Sequence, residues 1–211
     1  MTQTLVRQIL TDYPVEESAP MLLGAVLKTP IGSCKIVEVE AYAGTLDAGS
    51  HAHRGPTNRN QVMFGPAGYI YTYFTYGSHW MINITAHAEG VAGAILFRAA
   101  IPLDHLDELH INRPKAKTAK DLLSGPGKLC AAYVITGDQY GIDALNPEST
   151  YQLIPSQTPV PFVRSTRIGL APGKGEHHLW RFIDAENIEW ASNPKSHLRL
   201  LDSQAPPPFP K

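Results

Sequence analysis

Two glutamates and a tyrosine occupy alternate positions, 38, 40 and 42, of the segment Lys35–Ala43, which we interpret as a β-strand. Since side chains alternate across a strand, one face carries Ile36, Glu38, Glu40 and Tyr42, and the other, assigned to the core, carries Val37, Val39 and Ala41. Two carboxylates about 7 Å apart beside a phenol suit a general base with an orienting neighbour, or the acid pair of a glycosidase. A solvated strand face without chemistry is the alternative.

A row of tyrosines occupies the segment Tyr69–Trp80, which holds 6 of the 18 aromatic residues of the chain. Tyr69, Tyr71 and Tyr73 share one strand face, and Tyr76 lies at the turn that follows. A buried tyrosine hydroxyl needs a hydrogen-bond partner, so tyrosine is an unusual choice for a plain core. A tyrosine row that ends at an exposed turn suits a stacking platform for flat ligands such as nucleobases. An amphipathic strand rich in tyrosine is the alternative.

Two polar residues interrupt strands that are otherwise apolar. Asn83 lies between Ile82 and Ile84 and faces the opposite side from them. Arg98 lies inside the apolar run 94–100, and an unpaired buried guanidinium costs several kcal/mol. We therefore expect Arg98 to pair with a carboxylate on a neighbouring strand, either Glu40 or Glu38. A strand-end arginine that reaches solvent is the alternative.

Histidines near Asp47 raise the possibility of a metal site. His51 and His53 could bind a metal together with Asp47, but no further strong ligand follows at a familiar spacing. The pair His177-His178 is interpreted as part of a surface loop. The chain has no phosphate-binding glycine motif, no CxxC and no GxSxG.

The elements that position these residues are short and separated by turns. We predict strands at Val26–Lys28, Cys34–Ala43, Tyr69–Tyr76, His79–Ala86, Ala92–Ala100, Tyr151–Ile154, Thr166–Leu170 and Trp180–Asp184. We predict helices over residues 14–23, from Pro102 to about Asn112, and from the 124–127 turn through Ala132, with one helical turn near Asn60–Phe64 in a long loop. This pattern indicates a single α+β domain over residues 1–211, built on an antiparallel sheet, with a frayed Pro-rich tail at Ala205–Pro210.

Composition narrows the class of protein further. The chain has 211 residues, a net charge of −1, and 17 Gly with 18 Pro, which argues against a helix bundle. No apolar run approaches about 18 residues and no secretory signal is visible, so we expect a protein of the cytoplasm or nucleus without a membrane span. Cys34 and Cys130 fit reduced thiols there. Ala48–Ala88 contains no Asp or Glu, and such a carboxylate-free surface would suit a phosphate backbone.

The ordered combination of these motifs resembles the alkyladenine (3-methyladenine) DNA glycosylase family of the mammalian type. The resemblance is carried by Glu40-Ala41-Tyr42-Ala43-Gly44, Ser50-His51, Arg59-Asn60, Met63-Phe64-Gly65-Pro66, Gly68, Tyr71-Thr72-Tyr73, Tyr76-Gly77 and Asn83. It continues through Arg98-Ala99, Ser124-Gly125-Pro126-Gly127-Lys128-Leu129-Cys130, Arg167-Ile168-Gly169 and Trp180-Arg181-Phe182, and so covers roughly residues 14–185.

The resemblance implies a curved antiparallel sheet flanked by short helices, no metal or organic cofactor, and a monomer that acts on double-stranded DNA containing damaged purines. It implies that the damaged base is flipped out and its N-glycosidic bond hydrolysed, leaving an abasic site. The substrates implied are 3-methyladenine, 7-methylguanine, hypoxanthine and ethenoadenine. Two other functions stay open: a metal-dependent hydrolase using Asp47, His51 and His53, and a DNA-binding module without catalysis.

The resemblance also implies a role for each matched residue. Glu40 is the base that activates water and Arg98 helps to hold that water. Tyr42, His51 and Tyr73 are walls of the base pocket, Asn83 excludes the exocyclic amine of guanine, and Tyr76 intercalates into the duplex. Arg59, Tyr71 and Lys128 are expected at the DNA backbone. The sequence departs from the family at Ser78 and Trp80 and has a slightly longer loop over Thr85–Gly93, which bears on the range of substrates.

Overall fold

Eight antiparallel strands form one sheet in the computed structural model, within residues 1–192, the part of the chain that the structure describes. The strands are β1 (Val26–Lys28), β2 (Ser33–Tyr42), β3 (Ile70–Thr75), β4 (His79–Thr85), β5 (Ala94–Pro102), β6 (Gln152–Ile154), β7 (Phe162–Ser165) and β8 (Arg181–Asp184). Six of them lie in the order β3-β4-β5-β2-β1-β6, and β8 pairs with both β7 and β2. The expected α+β class is confirmed. The Pro-rich tail predicted at Ala205–Pro210 lies outside the described residues.

Short helices flank the sheet. The α-helices of the described part are α1 (Gln3–Asp12), α2 (Val15–Ser18), α3 (Leu106–Asn112), α4 (Ala119–Leu123) and α5 (Pro126–Ala132), with 3₁₀ turns that include Ala19–Leu22 and Gln61–Phe64. The sequence did not indicate α1, whose N-terminus is capped by the Thr2 side chain, nor α4. The helix predicted over residues 14–23 is divided into α2 and a 3₁₀ turn at Pro20, which has no N–H to continue the α-helical bonding. Within residues 1–192, no helix is long and apolar enough to cross a membrane.

Strand β2 collects the candidate chemistry because it has neighbours on both edges. β5 pairs with it from Cys34 to Tyr42. On the other edge, β1 covers Ser33–Lys35 and β8 covers Glu38–Glu40. Glu38 and Glu40 are consequently fully buried, with 0% of each residue exposed. The alternative of a solvated acidic face is therefore wrong.

Two offset bulges shift the pairing between β2 and β5 at the position of the acidic pair. The register runs Ile36 with Ala100, Glu38 with Ala99, and Val39 with Phe97. Val37 is thus an extra residue in β2, and Arg98 is an extra residue in β5. The first bulge moves Ile36 into the core with Val39 and Ala41. The prediction that Ile36 shares a face with the two glutamates is therefore wrong. The second aims the Arg98 side chain at both glutamates, a common use of bulges near active sites.

The strand predicted at Thr166–Leu170 is not a strand. Strand β7 lies earlier in the chain and ends at Ser165. Gly169 has a φ of 85°, in the left-handed region, which is incompatible with a continuing strand. The residues that follow β7 instead form a loop beside the end of β2, where the backbone N–H of Ile168 contacts Glu40.

Candidate active site

A cavity of about 310 Å³ opens between strands β2 to β5 and the loop after β7. Its volume lies at the lower end of the range for small-molecule sites. The predicted site residues that line it are Tyr42, His51, Tyr71, Tyr73, Tyr76, Asn83 and Arg98. The structure therefore brings together residues that lie as far apart in sequence as Tyr42 and Arg98.

Glu40 lies immediately behind the cavity wall. Its Oε1 accepts a hydrogen bond from the Ile168 backbone N–H at 2.7 Å, and its Oε2 accepts from the Tyr42 hydroxyl at 2.9 Å and from Arg98 Nη1 at 3.3 Å. All three partners line the cavity. These bonds use three of the roughly four acceptor positions of a carboxylate, which leaves capacity for one water.

The Tyr42 hydroxyl is a fixed donor to Glu40. Burial and the neighbouring Glu40 charge raise the pKa of the Tyr42 hydroxyl well above its usual value, so the phenol stays protonated and donates its hydrogen to the carboxylate. Glu40 is thus a buried carboxylate whose donors are fixed in advance of any ligand.

Glu38 is held by more donors than Glu40. It accepts from Arg98 Nε at 3.2 Å, from Arg181 Nη1 at 3.1 Å, and from both the backbone N–H and the hydroxyl of Ser192, at 2.6 and 2.9 Å. The ion pair expected for Arg98 is therefore confirmed, and it involves both glutamates. Because four bonds use the full acceptor capacity of Glu38, Glu40 is the carboxylate left for work on a ligand.

Three aromatic rings form one corner of the cavity. The His51 ring lies edge-on to Tyr73 with centroids 4.5 Å apart, and the Tyr71 and Tyr73 centroids are 5.4 Å apart. Tyr71 is only 1% exposed, and its hydroxyl is 2.9 Å from His51 Nδ1. Burial places Tyr71 in the pocket wall, so its predicted contact with the DNA backbone is corrected.

His51 should remain uncharged at the pH of the cell. The residue is exposed, but desolvation of its ring where it faces the cavity, and secondarily the charge of Arg59, lower its pKa from about 6.5 to about 4. Since the unfolded chain then binds the proton more readily, this residue should make the fold less stable as pH falls from about 6.5 toward 4. We expect NMR titration, assigned with His51→Gln, to show a neutral ring at pH 5.5. A His51 midpoint near 6.5 would contradict this environment.

Asn83 lies in the cavity wall with its position fixed. It is 2% exposed, and its Nδ2 donates a hydrogen bond to the Tyr71 carbonyl at 2.9 Å across the β3–β4 pair. The amide cannot swing aside without breaking that buried bond, which costs roughly 1 kcal/mol or more. Its bulk therefore limits the shape of any ring that enters the cavity.

Tyr76 lies at the mouth of the cavity on the turn between β3 and β4. It is 79% exposed, and its φ of 53° lies in the left-handed region, where a tyrosine is uncommon. Gly77 follows with a φ of 64°. The turn thus holds a large aromatic side chain away from the core at the entrance of the site.

Asp47 is committed to an arginine rather than to a metal. Its carboxylate forms two bonds with Arg167, at 2.5 and 2.9 Å, and both side chains are fully buried. His53 Nδ1 bonds the Thr45 carbonyl instead. Within residues 1–192 no cluster of three or more His, Cys, Asp or Glu could hold a metal ion. The structure does not support the metal-dependent alternative built on Asp47.

Arg167 was missed by the sequence analysis as a part of the site. Its guanidinium lies between the Tyr42 ring and the Trp180 ring, with Cζ 4.7 and 5.0 Å from the two centroids. The Tyr42 ring therefore packs against the buried guanidinium of Arg167, and this contact fixes the ring in the cavity wall. Arginine guanidinium groups stack favourably on aromatic faces.

The two remaining residues expected at the DNA backbone lie at the surface of the site. Arg59 is exposed, contacts the Phe74 carbonyl at 3.2 Å, and places its guanidinium 5.2 Å from the Tyr73 ring centroid. Lys128 is partly exposed and bonds the Ser124 hydroxyl at 3.1 Å. Both cations remain predictions for phosphate contact.

Comparison with known proteins agrees with this site. The chain matches the family model described as methylpurine-DNA glycosylase over residues 9–188. Three relatives share the name "Putative 3-methyladenine DNA glycosylase". The one from Burkholderia cenocepacia is 37% identical over 180 residues, covering 84% of this chain and 87% of the relative. Those from Streptomyces avermitilis and Chlorobaculum parvum are 43% and 42% identical, covering 80% and 74% of this chain and 82% and 80% of the relatives.

The matched sequence, together with the α+β fold and its cavity, defines a DNA glycosylase, an enzyme of base excision repair. The chain belongs to the methylpurine-DNA glycosylase family, and its substrate is DNA. The resemblance drawn from the motifs is confirmed at the level of the family.

Proposed function

We propose that this enzyme flips an alkylated purine out of duplex DNA into the cavity and hydrolyses the N-glycosidic bond with a water activated by Glu40. The observation that carries the proposal is the buried Glu40 carboxylate, whose three hydrogen-bond partners all line the cavity. The proposed enzyme acts as a monomer.

Binding in the cavity would offset part of the cost of flipping. Extruding a nucleotide costs a few kcal/mol, and least for a damaged or mispaired base. Tyr42 and the ring cluster of His51 and Tyr73 all present aromatic surface to the cavity. A purine that carries a positive charge, such as 3-methyladenine or 7-methylguanine, would gain about 1–2 kcal/mol from cation–π attraction there.

The proposed chemical step balances without an added reactant. The bond between the sugar C1′ and the purine nitrogen breaks, and its electron pair leaves with the base, so that a cationic purine departs neutral. Water held by Glu40 and Arg98 attacks C1′, and Glu40 accepts the proton, as in glycoside hydrolysis. Hypoxanthine and ethenoadenine are neutral and would leave as anions that take a proton from solvent water, so we expect slower excision of both.

The product should be an intact strand with an abasic site. None of the side chains that line the cavity is a lysine, so the described site offers no amine for a Schiff base. Single-turnover assays on duplexes that each carry one defined lesion test the proposal, with strand cleavage measured before and after alkali. Release of the base with cleavage only after alkali is expected. Strand cleavage without alkali would contradict simple hydrolysis.

Guanine should be admitted when Asn83 is shortened. Asn83→Ser removes the carboxamide from the cavity wall and with it the steric conflict proposed for the 2-amino group of guanine, a form of selection by exclusion. We expect guanine release from a mismatched duplex in vitro and a raised spontaneous mutation rate in cells. Asn112→Ser is the matched control, because Asn112 Nδ2 also bonds a backbone carbonyl, that of Ala132, away from the cavity. Unchanged guanine excision by Asn83→Ser would remove the gating role.

A further inference from the structure

A neutral cluster of four buried charges lies behind the cavity. It contains Glu38 and Glu40, both 0% exposed, together with Arg181 at 2% and Arg98 at 7%. Two negative and two positive charges balance, which is the condition under which buried ions are tolerated. Only Arg98 of these four lines the cavity. The proposed reaction uses Glu40 and Arg98 directly and leaves Glu38 without a role.

We propose that Glu38 is a positioning residue for base excision, which fixes Arg98 against Glu40. This inference rests on the proposed function, in which Glu40 is the base. Glu38 itself touches neither the cavity nor a reacting atom.

The geometry of Arg98 supports the positioning role. Its Nε donates to Glu38 at 3.2 Å and its Nη1 donates to Glu40 at 3.3 Å, so two carboxylates hold adjacent donors of one planar guanidinium. The rigid fork of an arginine transmits such a constraint to its whole plane. Loss of the Glu38 bond would leave Arg98 free to turn about its contact with Glu40.

Glu38 is in turn anchored from two other parts of the chain. Arg181 on β8 donates to it at 3.1 Å, and Ser192, just after the 3₁₀ turn Ile188–Trp190, donates twice. Both donors lie far from Glu38 in the sequence, Arg181 by 143 positions and Ser192 by 154 positions. The cluster therefore ties the C-terminal part of the described chain to the guanidinium beside the proposed base.

The charge of Glu38 acts on Glu40 from the same strand. The charged and titratable groups around Glu40 are Glu38 on β2, Arg98 on β5, Arg181 on β8, the phenols of Tyr42 and Tyr73, and, beyond Tyr42, Arg167 with its partner Asp47. Neutralising Glu38 leaves two buried arginine charges against the single carboxylate of Glu40, so the guanidinium of Arg98 should lose its fixed position.

Two substitutions of Glu38 separate the effect of its charge from the effect of its side-chain length. We measure single-turnover release of 3-methyladenine from methylated duplex DNA, and the affinity for the same DNA. Glu38→Gln should slow the maximal rate by roughly 10- to 100-fold while the affinity stays at the wild-type value, because Glu38 does not touch the cavity. Glu38→Asp keeps the charge but shortens the side chain, so the rate should also fall at unchanged affinity. The exposed Glu148→Gln is the matched control.

The outcomes distinguish this inference from the proposed function. A wild-type rate for either variant, or a loss of affinity as large as the loss of rate, would refute positioning. If Glu38→Gln does not fold by circular dichroism, Ser192→Ala takes its place, because it removes the hydroxyl that bonds both Glu38 and Arg98 and should lower the rate at unchanged affinity. Full excision by Glu40→Gln would instead overturn the proposed function.

Discussion

Glu40→Gln is expected to abolish base excision while binding to lesion-containing DNA stays within about tenfold of the wild type. Loss of a positioned base costs on the order of 10²–10⁴ in rate, or more. Glutamine cannot accept the proton from water. Its amide group also offers hydrogens where Oε2 now accepts bonds from Tyr42 and Arg98. The single-turnover excision rate and the affinity for lesion DNA are measured on the same preparation.

A matched variant separates loss of chemistry from loss of fold. Glu148→Gln changes the same chemical group at an exposed position and should excise at the wild-type rate. Thermal unfolding of Glu40→Gln should still be cooperative, although at a lower temperature, because Arg98 loses one of its two carboxylate partners. Excision near the wild-type rate by a folded Glu40→Gln would remove Glu40 from the mechanism.

The sequence predicted those parts of the site that follow from local rules. Period-two alternation and tight turns indicated β3 and β4 as a hairpin, and the structure pairs Thr75 with His79 across that turn. The ion pair of Arg98 followed from energetics, since an apolar strand cannot bury an unpaired guanidinium. Neither argument needs the positions of distant residues.

Strand register was beyond that reasoning. The bulges at Val37 and Arg98 compensate each other, so each strand keeps its alternation on either side and the sequence of one strand alone gives no sign of the shift. The predicted strand face was therefore wrong for Ile36, which lies in the core. A register is set by how two strands pair, and that pairing is a property of the fold.

Partners that come from far along the chain were also missed. Asp47 was a metal-ligand candidate in an alternative interpretation because histidines lie near it in sequence, but Arg167 reaches it from 120 positions away. Ser192 and Arg181 reach Glu38 in the same way. Which donor pairs with a buried carboxylate depends on how distant strands and loops come together in the fold. A short sequence motif contains only one member of each such pair.

The exposed turn at Tyr76 leads to an expectation that separates binding from folding. Tyr76→Ser should leave thermal stability nearly unchanged, because the side chain is 79% exposed and its backbone lies in the left-handed region, where serine is no worse placed than tyrosine. Tyr13→Ser, at an exposed tyrosine after α1, is the control for loss of a surface ring. Both variants should unfold close to the wild-type temperature.

Excision should nevertheless fall in Tyr76→Ser, and in a way that depends on base pairing. If Tyr76 fills the gap left by the flipped nucleotide, it stabilises the extruded state by a few kcal/mol. A stably paired lesion needs that help more than a mismatched one, so the defect should be larger when the lesion lies opposite its matched partner, and binding to abasic DNA should weaken. Excision rates on one lesion opposite matched and mismatched bases decide the question. A lower melting temperature with an equal loss on both duplexes would mean that Tyr76 packs the fold and does not enter the duplex.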